Sequence, residues 1–364
     1  MADVAHAMVL TGFNKPLEMT EFPLPALKPG EVLVRIKAAG VCGSDVHMLH
    51  GHDPRTPLPI ILGHEAVGVV QETGGRKRDI NGDDLQPGDA IGWDRGVVCD
   101  DCFFCSVKKQ PYLCPNRRVY GISISCKDAP HLKGGYATHM VLDAKTKLLK
   151  LPKDAVPELL VSASCSGATA AHAIEQCDIR QGDTVAVIGT GSLGMFAIAL
   201  VVGRGAAQIV AIDVEESRLA LAREFGATHT LNARQTKPEQ RLQLVKDLTH
   251  GRGADVVVDC SGYAPGINDG IRLCCRGGTY TLPGIAVPVG ETPVSFYEDV
   301  SIRNLIIRGV WVSDTSHYRQ AVELVMAKRF PFDRLVNRTF ELKQANEALA
   351  ATERREVIKA VLKP

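Results

Sequence analysis

The chain is 364 residues long, more than one ordinary hydrophobic core accommodates, so two domains are expected. Hydrophobic residues at 45% and charged residues at 23% match a folded globular chain and exclude long disorder. With 42 basic residues against 41 acidic ones, no field is strong enough to draw the chain to nucleic acid or an anionic membrane.

The N-terminal segment Met1 to Leu10 lacks a basic start followed by an apolar core, so no signal peptide is expected. No apolar run reaches the roughly 18 residues that a membrane span needs. The first part of the chain reads as short strands broken by Gly and Pro. Glu31–Lys37 alternates polar and apolar, Ala66–Glu72 is a second strand, and Pro87-Gly88-Asp89 turns the chain into Ala90–Trp93. The texture changes near residue 155. A helix is expected from Ala163, then strand Thr184–Ile188, a glycine turn and helix Leu193–Gly203. Strand Gln208–Ile212, helix Glu216–Phe225 and strand Asp255–Asp259 follow. Strands alternating with helices predict a doubly wound parallel sheet. After Trp311–Ser313 come helical stretches at Ser316–Ala327 and Lys343–Ala351 and a strand at Val357–Leu362, expected to rejoin the first domain.

Gly189-Thr-Gly191-Ser192-Leu193-Gly194 stands between a β-branched strand and an apolar helix, and Asp213 closes the next strand. That context is what a dinucleotide site requires. Gly189 allows the tight turn, Gly191 the approach of a pyrophosphate, and Gly194 close helix packing; the helix start offers free N–H donors. The Asp213 carboxylate suits the adenosine ribose hydroxyls and repels a 2′-phosphate, which favours NAD. Arg218 can lie over the ribose or the adenine.

Eleven cysteines, an odd number with four in one cluster, do not form a disulfide framework. Cys99, Cys102 and Cys105 are separated by two-residue gaps and Cys114 follows, so four thiolates can close a tetrahedron. Zinc in a structural role is expected, an iron–sulfur cluster being the competitor. Cys126, Cys177, Cys260, Cys274 and Cys275 read as packing residues.

Three further segments carry candidate chemistry: Gly40-Val-Cys42-Gly-Ser44-Asp45-Val-His47, Gly63-His64-Glu65 and Ser164-Cys165-Ser166-Gly167. Together with the glycine turn and the cysteine cluster, they resemble the zinc-containing medium-chain alcohol dehydrogenase family over nearly the whole chain. The resemblance implies a GroES-like β-rich catalytic domain at 1–160, with a structural zinc lobe at 95–118, completed by 310–364. It implies a Rossmann domain at 161–309, two zinc ions per chain and NAD.

It further implies that Cys42, His64 and Cys165 bind the catalytic zinc, with Glu65 beside it as an auxiliary ligand. Asp45 would fix the His64 tautomer, Ser44 would take the substrate proton, and His47 would pass it toward solvent. Pro283-Gly284-Ile285 is similar to the segment that meets the nicotinamide carboxamide. Lys359 falls where the family has a basic residue near the pyrophosphate. Arg95, two residues after Trp93, falls on a position that lines the family's substrate pocket, and a guanidinium there suits an anionic group on the alcohol; pairing with Asp94 or Asp100, or capping a loop, is the competing structural reading.

The expected function is reversible hydride transfer between an alcohol and NAD. A polyol or amino-alcohol dehydrogenase of the same superfamily and a non-catalytic nucleotide- and zinc-binding protein are the alternatives. The expected partners are a small alcohol or carbonyl compound and a second copy of the chain, as homodimer or homotetramer, in the cytoplasm.

Overall fold

The computed structural model describes residues 4–364, so the first three residues of the segment read as leaderless lie outside it. The chain divides into two compact units. The first takes the chain up to Cys165, then Asp314–Ala327 and Phe332–Pro364; the second takes Ser166–Ser313 and Lys328–Pro331.

The first unit is β-rich. Strand Val32–Val41 lies at the centre of its larger sheet, antiparallel to Glu65–Thr73, His139–Leu142 and Lys359–Lys363. The apolar alternation read at Glu31–Lys37 puts Val32, Val34 and Ile36 in the core, and pairing extends the strand to Val41 because Ala38 to Val41 are buried too. The C-terminal strand pairs Ala360 with Val41 and Leu362 with Ala39, so the last residues belong to this unit. A smaller sheet joins Val4–Leu10, Glu18–Pro23 and Ile60–Ile61.

The second unit carries six strands, all parallel, in the spatial order His229–Asn232, Gln208–Asp213, Thr184–Ile188, Ala254–Asp259, Cys274–Leu282 and Ile306–Gly309. This is the doubly wound order of a dinucleotide-binding sheet. Val185, Ala186 and Val187 are fully buried, as helices covering both faces of a parallel sheet require.

One expected helix is broken. A short 3-10 turn at Val161–Ser164 ends at Cys165, whose backbone (φ −118°, ψ −78°) departs from the helix before Ser166–Glu175 begins. Among the described residues no helix is long and apolar enough to cross a membrane.

Candidate active site

The first unit brings Cys42, His64, Glu65 and Cys165 together, with one donor atom of each inside a span of 4.8 Å. Cys42 ends the central strand and caps the seven-residue helix Gly43–Leu49, with its backbone N–H donating to Asp45 Oδ2 at 2.8 Å. That same oxygen accepts the Tyr136 hydroxyl at 3.0 Å. The other oxygen of Asp45 lies 3.2 Å from His64 Nδ1, and both side chains are fully buried. Asp45 therefore faces Nδ1 of His64, the ring nitrogen whose orientation a neighbouring carboxylate sets in metal-binding histidines.

Gly63 has to precede His64. Its φ is +90°, and a Cβ there would stand 2.4 Å from the Tyr136 ring.

Both ring nitrogens of His64, Asp45 Oδ1 and Glu65 Oε1 are buried without a hydrogen-bond partner of good geometry. Unpartnered buried donors and acceptors are costly, and two of them beside two sulfurs fit a bound cation. The electrostatics agree. The Cys42 thiol is held well below its ordinary value, chiefly by a hydrogen bond from Cys165, against burial and with help from Lys359. Burial opposes a charged His64, yet Asp45 and Cys42 together bring it up to about 10. A point that attracts positive charge through two sulfurs and an imidazole suits a divalent zinc ion.

Ser44 and His47 stand one turn apart on the same short helix, both half-buried, with Ser44 Oγ 3.8 Å from Cys42 Sγ. Burial, then the neighbouring His52, lowers the His47 pKa from 6.5. His50 is tied to Asn14 at 2.7 Å and Glu353 at 2.8 Å and belongs to neither donor group.

The second donor group is Cys99, Cys102, Cys105 and Cys114, again within 4.8 Å. Cys99 and Cys114 sulfurs lie 3.5 Å apart, close to the ~3.8 Å edge of a tetrahedron with ~2.3 Å zinc–sulfur bonds. Backbone hydrogen bonding at Cys105 leads the effects that bring the Cys102 thiol down to about 7.

Three residues named from the sequence lie buried in the first unit. Lys359 is buried in the first unit, where its ammonium donates to Glu65 Oε2 at 2.7 Å. Trp93, taken as a pocket residue, is 2% exposed and packs in the hydrophobic core, because its strand pairs with Leu148–Lys150 and turns the indole inward. Arg95 is buried too, and its Nη1 donates to the carbonyl of Ser164. Tyr136, which holds Asp45, was missed, since a lone tyrosine beside a Gly-Gly pair carries no local signal.

In the second unit Gly189 and Gly191 form the turn before helix Ser192–Arg204, whose first residues are Ser192, Leu193 and Gly194. A Cβ on Gly194 would meet the Gly189 carbonyl at 2.0 Å, so only glycine lets the helix sit this close. Asp213 Oδ2 accepts from Thr190 N at 2.6 Å and Thr190 Oγ1 at 3.0 Å. Its Oδ1 accepts from Val214 N at 2.7 Å and Glu215 N at 3.0 Å. The carboxylate thus braces the glycine turn as well as marking the strand end. The Arg218 guanidinium lies 3.9 Å from where a Gly191 Cβ would be. Gly284, before Ile285, donates its N–H to the Asp259 carbonyl at 3.0 Å, which docks this segment at the carboxyl ends of the strands.

The fold and the two donor groups define a zinc-binding dehydrogenase. The alcohol dehydrogenase GroES-like domain matches residues 28–153 and the zinc-binding dehydrogenase domain matches 192–327. The 5-exo-hydroxycamphor dehydrogenase of Pseudomonas putida is 33% identical over 363 residues, covering 98% of each chain. An alcohol dehydrogenase from Thermotoga maritima superposes with a TM-score of 0.96 at 46% identity over 99% of both chains. A zinc-binding dehydrogenase fold from Sinorhizobium meliloti, solved with NADP, gives 0.86 at 26% identity over the full length of both. The chain belongs to the zinc-containing medium-chain alcohol dehydrogenase family, and is an NAD(P)-dependent oxidoreductase of alcohols.

Proposed function

We propose that the chain interconverts a secondary alcohol and its ketone with NAD, at a centre held by Cys42, His64 and Cys165. The observation that carries this is the convergence of two thiols on a buried imidazole whose Nε2 has no protein partner. Zinc supplies Lewis acidity that makes an alcohol acidic near neutral pH, and the dinucleotide supplies a hydride acceptor.

The chain's own groups do the rest. Asp45 holds the His64 ring in the tautomer that leaves Nε2 for the metal. Ser44 receives the hydroxyl proton at Oγ, and His47, kept neutral by burial, carries it onward. Glu65 stands by as an auxiliary ligand, with Lys359 neutralising it. Cys99, Cys102, Cys105 and Cys114 would hold a second zinc, in a structural role.

NAD is favoured over NADP by Asp213, a buried carboxylate at the end of the second strand that disfavours a 2′-phosphate. A secondary alcohol is favoured by the hydroxycamphor relative, whose hydroxyl is on a ring carbon. The apolar edge strand Ile306–Gly309 favours a homodimer or homotetramer. Eleven free thiols suit the reducing cytoplasm.

Absorbance of NADH and NADPH, with a panel of secondary alcohols, polyols, amino alcohols and hydroxy acids, tests the reading. Turnover of secondary alcohols with NAD that a strong chelator abolishes is expected. Turnover that survives complete removal of zinc refutes it, and preference for polyols or amino alcohols moves the assignment to that branch.

A further inference from the structure

We propose that Arg95 is a positioning residue: it ties the root of the four-cysteine lobe to the peptide that carries Cys165, and so sets where that sulfur meets the metal. The inference rests on the reading of Cys42, His64 and Cys165 as ligands.

Arg95 lies between strand Ala90–Trp93 and the short strand Gly96–Val97, which pairs with Arg118–Val119. These two short strands are the stem from which the lobe with Cys99, Cys102, Cys105 and Cys114 projects. The stem is braced around Arg95. Its backbone carbonyl accepts from Tyr120 N at 3.1 Å. Neighbouring Asp94 accepts from Gly96 N at 2.8 Å and from Thr315 Oγ1 at 2.9 Å, with Arg117 Nη2 3.8 Å away.

From this braced stem the Arg95 side chain runs inward, 4% exposed, and donates through Nη1 to the Ser164 carbonyl. Ser164 ends the turn Val161–Ser164, its hydroxyl donating to the Val161 carbonyl at 3.1 Å. The next residue is Cys165, with the backbone that breaks the helix. The carbonyl that Arg95 holds is therefore part of the peptide bond leading into the ligand.

A buried guanidinium is costly and is retained where its hydrogen bonds fix a geometry. Here the geometry is that of the peptide at the junction between the 3-10 turn Val161–Ser164 and the helix Ser166–Glu175. Metal affinity depends on ligand placement and on the groups that orient each ligand, which typically change it 10–100-fold. Two centres that look separate along the sequence thus share one mechanical link.

The experiment compares wild type, Arg95→Met, Arg95→Lys and Cys165→Ser as full-length, zinc-loaded protein. Zinc content and the rate of zinc release to a chromogenic chelator resolve the two sites. Cobalt substitution reports thiolate coordination through its charge-transfer band, and kcat and KM are measured with matched neutral and anionic alcohols. Arg95→Met is expected to speed release from the Cys165 site about tenfold or more. It should also shift the cobalt band, leave the lobe zinc at its wild-type rate, and lower kcat equally for both alcohols. Arg95→Lys, which keeps a donor, should fall between, and it carries the same comparison if Arg95→Met does not fold. Unchanged release and an unchanged cobalt band in both variants overturn the proposal. So does a loss confined to the anionic alcohol with the metal undisturbed, which would make Arg95 a substrate contact. If Cys165→Ser also leaves the metal unchanged, the ligand assignment itself fails.

Discussion

At the scale of single residues, the metal site depends on side chains that the sequence scatters. Cys42, His64 and Cys165 lie far apart along the chain, and each alone reads as a packing residue; only the resemblance of the three segments to a known family joined them. The partners they need were harder to see. Tyr136 reaches Asp45 from 91 residues away. Lys359 reaches Glu65 from 294 residues away. No local pattern encodes such a pairing, because it is made by the sheet that sets the C-terminal strand beside the central one.

The Lys359–Glu65 pair has a measurable consequence. Removing one member of a buried ion pair leaves the other uncompensated, at a cost of about 3–5 kcal/mol. Lys359→Met should lose that much in denaturant unfolding, and the double variant with Glu65→Gln should recover most of it. Equal destabilisation by the single and double variants would show that the lysine's stem, not its charge, matters.

His47 gives a second test. Burial, then His52, lowers its pKa, so the neutral ring that accepts a proton persists below pH 6.5. Alcohol oxidation should fall only as pH drops through an inflection under that value. His47→Gln should remove the inflection; a profile unchanged by the substitution would take His47 out of the proton path.

At the scale of elements, the sequence was most legible where one local rule governs. Thr184–Ile188 is mostly apolar and β-branched, with Val185, Ala186 and Val187 fully buried, and its bounds agree with the sequence reading. The strand His229–Asn232 was not seen, being half-buried and mixed in composition. Cys274–Leu282 begins with two cysteines and two glycines, and its hydrogen bonds to Ala254–Asp259 override a weak local preference. The break at Cys165 was invisible for a different reason. Ser, Cys and Gly permit a helix there, and a long-range hydrogen bond holds the departure from it.

Capping offers a check at this scale. Asp314 starts helix Thr315–Met326, accepting from the backbone N–H groups of Ser316 and His317. Asp314→Ala leaves both without that acceptor and should cost about 1 kcal/mol. That corresponds to a drop of roughly 2–4 °C in Tm for a unit of this size, measured by calorimetry. An unchanged Tm would mean that packing of the helix, not its cap, fixes its start.

At the scale of the whole molecule, the parallel sheet of the second unit poses a problem that one chain does not solve. Its last strand, Ile306–Gly309, pairs with Cys274–Leu282 on one side, and no other strand among the described residues joins it on the other. An open edge is a template for further pairing, and proteins commonly blunt it with charge, proline or a bulge. Here Ile306 and Ile307 are 44% and 40% exposed, and the nearby Trp311 is 50% exposed, with Arg308 the only charge in the strand. Successive residues point to opposite faces, so Ile306 and Ile307 leave one exposed apolar side chain on each face beside the bare edge.

A second copy related by a two-fold axis would offer the same edge and cover the same side chains, which is the self-complementarity of a closed dimer. Ile307→Lys places a charge in that contact, twice over in a symmetric pair. Sedimentation velocity should show the wild-type chain as a dimer or tetramer and the variant shifted toward monomer, with both zinc ions retained, since neither donor group lies in the second unit. An unaltered sedimentation coefficient in the folded variant would show that self-association uses another surface.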